Sequence, residues 1–454
     1  MKLFTTIFLS FFAFSVGSQN NEVLYGFAGL PQTISLNPGA ETSFKFHVSI
    51  PFLSGVSSGF GISGFQVSDF FSDNNIAFNN KISMLSLSKR DHMTFNSKIE
   101  ILNGGFRLND RTYLSIGFYN EVDMIGYVPR DMAILATDGN ASHLNKSFSF
   151  SHISFKADLL GVLHAGITRK IDEKLTVGAS VKIYSSSLNA QSINNYGSFT
   201  TVSGENNLYV NYFNNVNVDL ETSGVTRSED ASDGAFGILA DTFLSGNLGL
   251  GLDVGFTYHL SNQIEVTGSL LDVGFIHYSK NIKNYKVKGS FVFEGINLRF
   301  NEADPIDYWA ELDEAFNEQL PITDNTTSYT AWRPAKIYSS LKYSFGEQRS
   351  RLCYDDTFKN YFANAMGVQV FTIFRPLSSQ VALTAFYERA FAKKFHMKIT
   401  YTLDDYSLYN IGAGLSAQIG PVNFYTTVGN ITEYTNLENV NSISFQAGVN
   451  LIFN

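Results

Sequence analysis

Ser442-Ile443-Ser444-Phe445-Gln446-Ala447-Gly448-Val449-Asn450-Leu451-Ile452-Phe453 decides the fold. Ile443, Phe445, Ala447, Val449, Leu451 and Phe453 occupy alternate positions, with Ser442, Ser444, Gln446, Gly448 and Asn450 between them. Successive side chains of a strand point to opposite faces, so this spacing makes one apolar and one polar wall. The pattern recurs along the chain. Leu248, Leu250, Leu252, Val254, Phe256, Tyr258 and Leu260 share a face opposite Asn247, Gly249, Gly251, Asp253, Gly255, Thr257 and His259. Leu175 to Ile183 and Tyr409 to Ile419 read the same way, as do Phe44, Phe46, Val48, Ile50 and Phe52 opposite Lys45, His47 and Ser49. Such repetition predicts an all-β chain, a transmembrane antiparallel β-barrel of about 14 strands whose outer face meets membrane lipid.

Composition agrees. Mean hydropathy is -0.03, low for a helical membrane protein of 454 residues and natural for strands with one wet face. No apolar run beyond residue 18 reaches the roughly 20 residues of a spanning helix. Lys2, an apolar stretch over 3–16 and the small residues Val16-Gly17-Ser18 read as a cleavable secretory signal. The predicted division is therefore a signal peptide at 1–18, a periplasmic or plug segment at 19–43 and the barrel at 44–454. The lone Cys353 permits no intrachain disulfide in an exported chain. Stability must come from a closed ladder with every backbone group paired. A net charge of -9 argues against nucleic acid as a partner.

Connection lengths supply a second test. With both ends periplasmic, alternate connections should be short turns. Those at 104–111, 169–173, 261–263, 389–394 and 420–421 are short, whereas 53–93, 121–147, 184–246 and 276–335 are long, as extracellular loops are. The stretch 346–361 is long for a turn. Residues 209–220 and 290–300 add strands or form loop hairpins. Pro51 removes a ladder donor and marks a bulge or strand end, and the phase changes again near Leu270-Leu271, a second bulge. Between 301 and 320 the period becomes helical: Ile306, Trp309, Leu312, Phe316 and Leu320 share a face, with Asp304 as N-cap and Pro305 at the first position. This one short helix in a long loop is acidic, and its apolar face suits a cover over the barrel rim.

Little catalytic chemistry is visible. The histidines lack the spacing of a metal site, no Gly-x-Ser-x-Gly elbow precedes a helix, and the GxG pairs at Gly249 and Gly412 sit in strands. We expect no enzyme, no metal and no cofactor. The inward phase carries Lys45, His47, Lys98, Lys182, Asp253, His259, Lys336, Lys342 and Lys398. These candidate lumen residues form either a hydrated wall balanced by acids such as Glu100 or a basic lining that guides an anionic ligand.

The order of Leu36-Asn37-Pro38-Gly39-Ala40, then Ile50-Pro51-Phe52-Leu53-Ser54-Gly55, then Ser63-Gly64-Phe65 resembles the start of an uncharacterised outer-membrane barrel family of Bacteroidetes-type bacteria. Residues 269–276 and Gly412-Ala413-Gly414-Leu415 extend the likeness over nearly the whole mature chain. Asn37-Pro38 is also similar to the Asn-Pro-Ala of long-chain fatty-acid transport porins, where a short N-terminal hatch plugs a fourteen-strand barrel. Here Gly39 replaces the alanine. That likeness implies a gate at Asn37, Pro38 and Gly39; the residues alone read equally as a plain turn. Gln446, Gly448, Leu451 and Phe453 look like the C-terminal signal read by the barrel assembly machinery, which implies the outer membrane of a Gram-negative bacterium. The resemblances imply passive transport of a small hydrophobic or amphipathic solute. The alternative is a non-conducting or secretion-associated barrel that binds a protein partner through its long loops.

Overall fold

A computed structural model of the chain describes residues 22–64, 88–205, 209–225, 242–243, 246–294, 308–349, 360–392, 394–436 and 440–453. Fourteen strands close a barrel. They are Phe46–Ser49 continued as Val56–Ile62, then His92–Asn109, Thr112–Tyr127, Phe155–Lys170, Leu175–Ser192, Leu248–His259 and Ile264–Tyr278. The other seven are Lys336–Arg349, Asn360–Ile373, Gln380–Ala392, Phe395–Leu403, Asn410–Ile419, Val422–Gly429 and Ser442–Phe453. Every neighbour pairs antiparallel. The fourteenth strand returns to the first, with Val48 opposite Leu451 and Phe60 opposite Ile443. No barrel edge is left, which is what hydrocarbon requires of a sheet.

The outer face follows the alternation. Leu248, Leu250, Leu252, Val254, Phe256 and Tyr258 are exposed along the sixth strand, as are Ile337, Leu341 and Tyr343 on the eighth and Val381 and Leu383 on the tenth. In lipid these are the contact surface, and the chain is an outer-membrane-type barrel. Phe46 and Phe453 stack outside the seam with ring centroids 4.2 Å apart. Short turns join the strands at one end, and the long excursions leave from the other. By that asymmetry the turn end is periplasmic. Part of the long connection at 346–361 lies outside the described residues.

Several register slips interrupt the wall, and three of them bear on its phase. In the first strand, residues 50–55 leave the ladder as a turn in which the Leu53 and Ser54 amides both donate to the Ile50 carbonyl. In the second, pairing skips Ile101, so Leu102, Phe106 and Leu108 face outward instead of continuing the Phe95–Ile99 phase. In the seventh, Leu271 and Asp272 together oppose Asp253, and Asp272 takes the left-handed backbone conformation at φ 57°. The predicted phase is also corrected at the start of the barrel. Phe44 is buried with Ile34, Tyr113 and Ile452. Lys45 is exposed at the turn end, because the alternation begins only with the ladder at Phe46.

Beyond the loop end a second sheet forms, in the order Ser147–Ser149, Tyr196–Ser203, Tyr209–Ser223, Asn284–Phe293, Ile322–Asn325. Its apolar side holds Val216 and Phe291 with Phe316 of the helix α2 (Tyr308–Gln319) and Leu320 just after it, Phe316 lying 5.3 Å from Phe291. The helix therefore covers this outer sheet rather than the bare rim. Its predicted cap at Asp304 and Pro305 lies outside the described residues. A helix that the alternation did not announce, α1 (Arg130–Thr137), packs Ala133 and Ile134 on Phe148.

Leu252→Arg places a cation on the outer band, and we expect it to destabilise the folded barrel by about 2–4 kcal/mol. Urea unfolding in lipid vesicles measures this, and an unchanged midpoint would mean the band does not face hydrocarbon.

Candidate functional site: an occupied, charge-paired lumen

Residues 22–40 pack against the inner wall of the barrel, and Glu41 and Ser43 are exposed beyond them. Glu22, Val23, Leu24, Tyr25, Phe27 and Leu30 are each 3% exposed or less, and every turn of the segment touches a different part of the wall. The Glu22 carbonyl accepts from Gln369 Nε2 at 2.6 Å and from Lys398 Nζ at 3.3 Å, and Lys398 also donates to the Tyr25 carbonyl at 2.7 Å. Tyr25 bonds Thr267 Oγ1 at 3.0 Å and stacks on Tyr338 at 4.8 Å. Burial pushes its phenol up to about 12, so it stays neutral. The same burial holds the Glu22 carboxyl well above the usual range.

The short helical turn Pro31–Ser35 then carries Gln32 to the opposite wall. Its Nε2 donates to the Ser54 carbonyl at 3.0 Å, Glu100 Oε2 at 3.0 Å and Asn450 Oδ1 at 2.9 Å, and its Oε1 accepts from Asn450 Nδ2 at 2.9 Å. One side chain thus grips the first, second and fourteenth strands, across the closing seam.

Asn37, Pro38 and Gly39 run along the fifth and sixth strands. Asn37 Nδ2 donates to the Phe256 carbonyl at 3.1 Å, while its Oδ1 accepts from the Gly39 amide at 2.9 Å. The Pro38 carbonyl accepts from Thr168 at 2.6 Å, and the Gly39 carbonyl from Thr257 at 2.9 Å. Gly178 and Gly255 allow this approach, since a Cβ on the first would fall on the Pro38 carbonyl and on the second against Asn37 Oδ1.

The wall carries a connected set of ion pairs. Lys182 lies 2.8 Å from Asp253 and 2.6 Å from Asp272. Lys336 lies 3.0 Å from Asp272 and 3.8 Å from Glu121. Arg333 joins Glu121 at 2.9 Å to Asp158 at 3.3 Å, and Lys156 approaches Asp158 at 3.9 Å. Tyr184 donates to Asp272, and Tyr278 and Asn189 to Asp158. Four cations thus face four carboxylates. Asp123 and Arg375 form a separate two-pronged pair at 2.7 and 2.9 Å. Most of these side chains are buried, a placement each charge tolerates only because its partner is present.

The remaining sequence candidates are spread along the axis. His47 is buried between Tyr113 at 2.5 Å and Asn103 at 3.3 Å. Lys342 pairs with Glu265 at 2.7 Å, and His259 meets Glu41 at 3.2 Å near the turn end. Lys45 is not a lumen residue, for the reason given above. Lys98 stands over the Tyr119 ring at 3.9 Å. Of the C-terminal residues, Gln446 faces inward and donates to Tyr425 at 3.1 Å, Gly448 packs on the Ser54 carbonyl, and Leu451 and Phe453 lie on the outer phase. Sequence reasoning missed Gln32, Asp272, Glu121, Asp158 and Arg333. Asp272 sits on the slipped side of a bulge, and Arg333 follows Trp332 in a segment with no alternation. Among the described residues no group of acids, histidines or cysteines is arranged for a metal.

These features define a closed outer-membrane-type barrel with an occupied, charge-balanced interior. The chain belongs to a family of unknown function, DUF5723, which matches residues 38–429. No curated protein matches it. Among solved structures it is similar to a Pseudomonas aeruginosa FadL homologue, at 9% identity and TM-score 0.46 over 96% of this chain and 98% of that one. It is also similar to the Ralstonia pickettii toluene transporter TbuX, at 11% and 0.44 over 93% and 94%. The Pseudomonas putida toluene transporter TodX follows at 9% and 0.39 over 96% and 93%. At these values the likeness adds nothing to the fold read from the strands themselves.

Arg375→Leu leaves the Asp123 carboxylate buried without its guanidinium, and we expect a loss of about 3–5 kcal/mol. The double variant Arg375→Leu/Asp123→Leu should recover most of it in the same unfolding assay. A double loss equal to the sum of the single losses would show that the pair does not act as a unit.

Proposed function

We propose that this protein is a gated outer-membrane channel for passive uptake of a small hydrophobic or amphipathic solute, with residues 22–40 as the gate and Asn37, Pro38 and Gly39 as its foot. One observation carries the reading: the segment that fills the lumen is held by individual hydrogen bonds and apolar side chains, with no ladder pairing to the wall. Each such bond contributes about 0.5–1.5 kcal/mol net, so the segment can leave without opening the barrel. Beside it lies a small cavity of about 80 Å³, with Leu36, Leu271, Tyr338 and Phe371 on its apolar side and Lys98, Lys336 and Glu121 on its polar side. Such a two-sided lining suits a solute with an apolar body and a polar end.

A second reading draws on the outer sheet. Its five strands and helix α2 build an apolar core of their own around Phe213, Phe291 and Phe316, more structure than a pore mouth requires. On that reading the loop end docks a protein partner and the lumen conducts nothing.

Deletion of residues 22–40 is expected to raise single-channel conductance severalfold in planar bilayers. Gly178→Val, whose side chain would displace the Pro38 carbonyl, should raise the open fraction in the full-length chain. If both variants insert yet conduct no more than the parent, the segment is not a gate.

A further inference from the structure

Glu22 is 3% exposed, and its Oε1 is buried with no hydrogen-bond partner. Among the described residues its carboxyl forms no ion pair. The one ammonium beside it, Lys398 of the eleventh strand, donates instead to the Glu22 and Tyr25 carbonyls at 3.3 and 2.7 Å and stands 4.5 Å over the Phe386 ring. From the ninth strand Gln369 gives its Nε2 to the Glu22 carbonyl, and its own Oε1 is a second buried acceptor without a donor.

The other charges around this corner are engaged elsewhere. Asp404, in the turn after the eleventh strand, is held as an anion by the Tyr406 and Ser407 amides and by Asn410 Nδ2, and it opposes a second negative charge at Glu22. Glu388 of the tenth strand accepts from the Ala28 amide at 3.2 Å and faces His396 at 3.6 Å. Lys342 of the eighth pairs with Glu265 of the seventh at 2.7 Å. The twelfth strand meets Val23 and Phe27 with Gly412 and Gly414 and brings no charge. A carboxylate at Glu22 is therefore disfavoured twice, by lost water and by Asp404. A bound proton removes the charge and supplies an O–H donor, which a corner with two unserved acceptors lacks.

We propose that docking of the N-terminal segment is proton-linked: Glu22 enters the barrel as a neutral acid, and its ionisation favours the released segment. The inference deepens the channel reading by naming what regulates the gate, and it rests on that reading for its effect on conduction. The position of the segment is measurable without conduction. In sign, the docked carboxyl keeps its proton to higher pH than the released one, so release gives up a proton. Docking is strongest below the ordinary glutamate value of about 4.3. It weakens by up to about tenfold per pH unit until the docked carboxyl itself ionises.

The test uses the full-length Cys353→Ser chain in lipid vesicles, with a nitroxide on Ser35→Cys in the half-buried middle of the segment. Electron spin resonance reads label mobility from about pH 5 to about pH 10, a range that spans buried glutamates. With Glu22 present, mobility should rise with pH. In Glu22→Gln and Glu22→Met, which have no proton to lose there, it should stay at the low-pH level. Single-channel conductance of the same proteins should follow the label. Heat-modifiable electrophoretic migration verifies that each variant is closed. If the label loosens with pH in the Glu22 chain alone while conductance stays flat, the proton linkage stands and the segment is not a gate. If the Glu22 chain shows one mobility across the range, or a closed neutral variant follows its pH profile, the linkage is overturned.

Discussion

Everything in this molecule depends on the hydrogen-bonded seam between Ser442–Phe453 and the first strand. Until that ladder forms, two strands present unpaired amides and carbonyls, and hydrocarbon offers them no partners. Once it forms, each backbone group of the wall is satisfied within the sheet, and the side chains divide into a lipid-facing set and an enclosed set. Ion pairs become tolerable inside because closure excludes lipid from them. The chain has no disulfide to do this work, since Cys353 stands alone.

The enclosed set is organised by opposites rather than by hydration. An open pore keeps lysines on a wet wall, where water screens them. Here Lys182, Arg333 and Lys336 meet carboxylates directly and are buried or nearly so. The lumen resembles a protein interior with a charged midsection, and Ile34, Phe44, Tyr113 and Ile452 pack together towards the turn end. A lining of this kind attracts no ion strongly at long range.

The barrel was legible in the sequence where side chains alternate without interruption. The sixth and fourteenth strands read correctly residue by residue over most of their length, because one face must be apolar and the other need not be. Legibility failed at register slips. Ile101 looks continuous with Ile99, yet the ladder skips it and Leu102 takes the outward place. Leu160 and Val162 are fully buried inward residues, so the run from Leu159 to Leu163 shows no face at all. Lys182, Lys336 and Asp253 were visible by phase, but most of their partners were not. Asp158 stands just before that faceless run, Asp272 lies on a bulge, and Arg333 is in a segment with no period. Gln32 left no signal, since a segment that packs inside a barrel obeys neither strand nor helix spacing.

The grip of Gln32 on Asn450, Ser54 and Glu100 bears on how such an object is made. Its contacts straddle the two chain ends of the cylinder, so those contacts are complete only after the last stave has met the first. The interior contacts cannot be finished in advance and then wrapped. The last stave and the segment inside meet at one spot, like a cork whose wire is twisted onto the same hoop that holds the cask together.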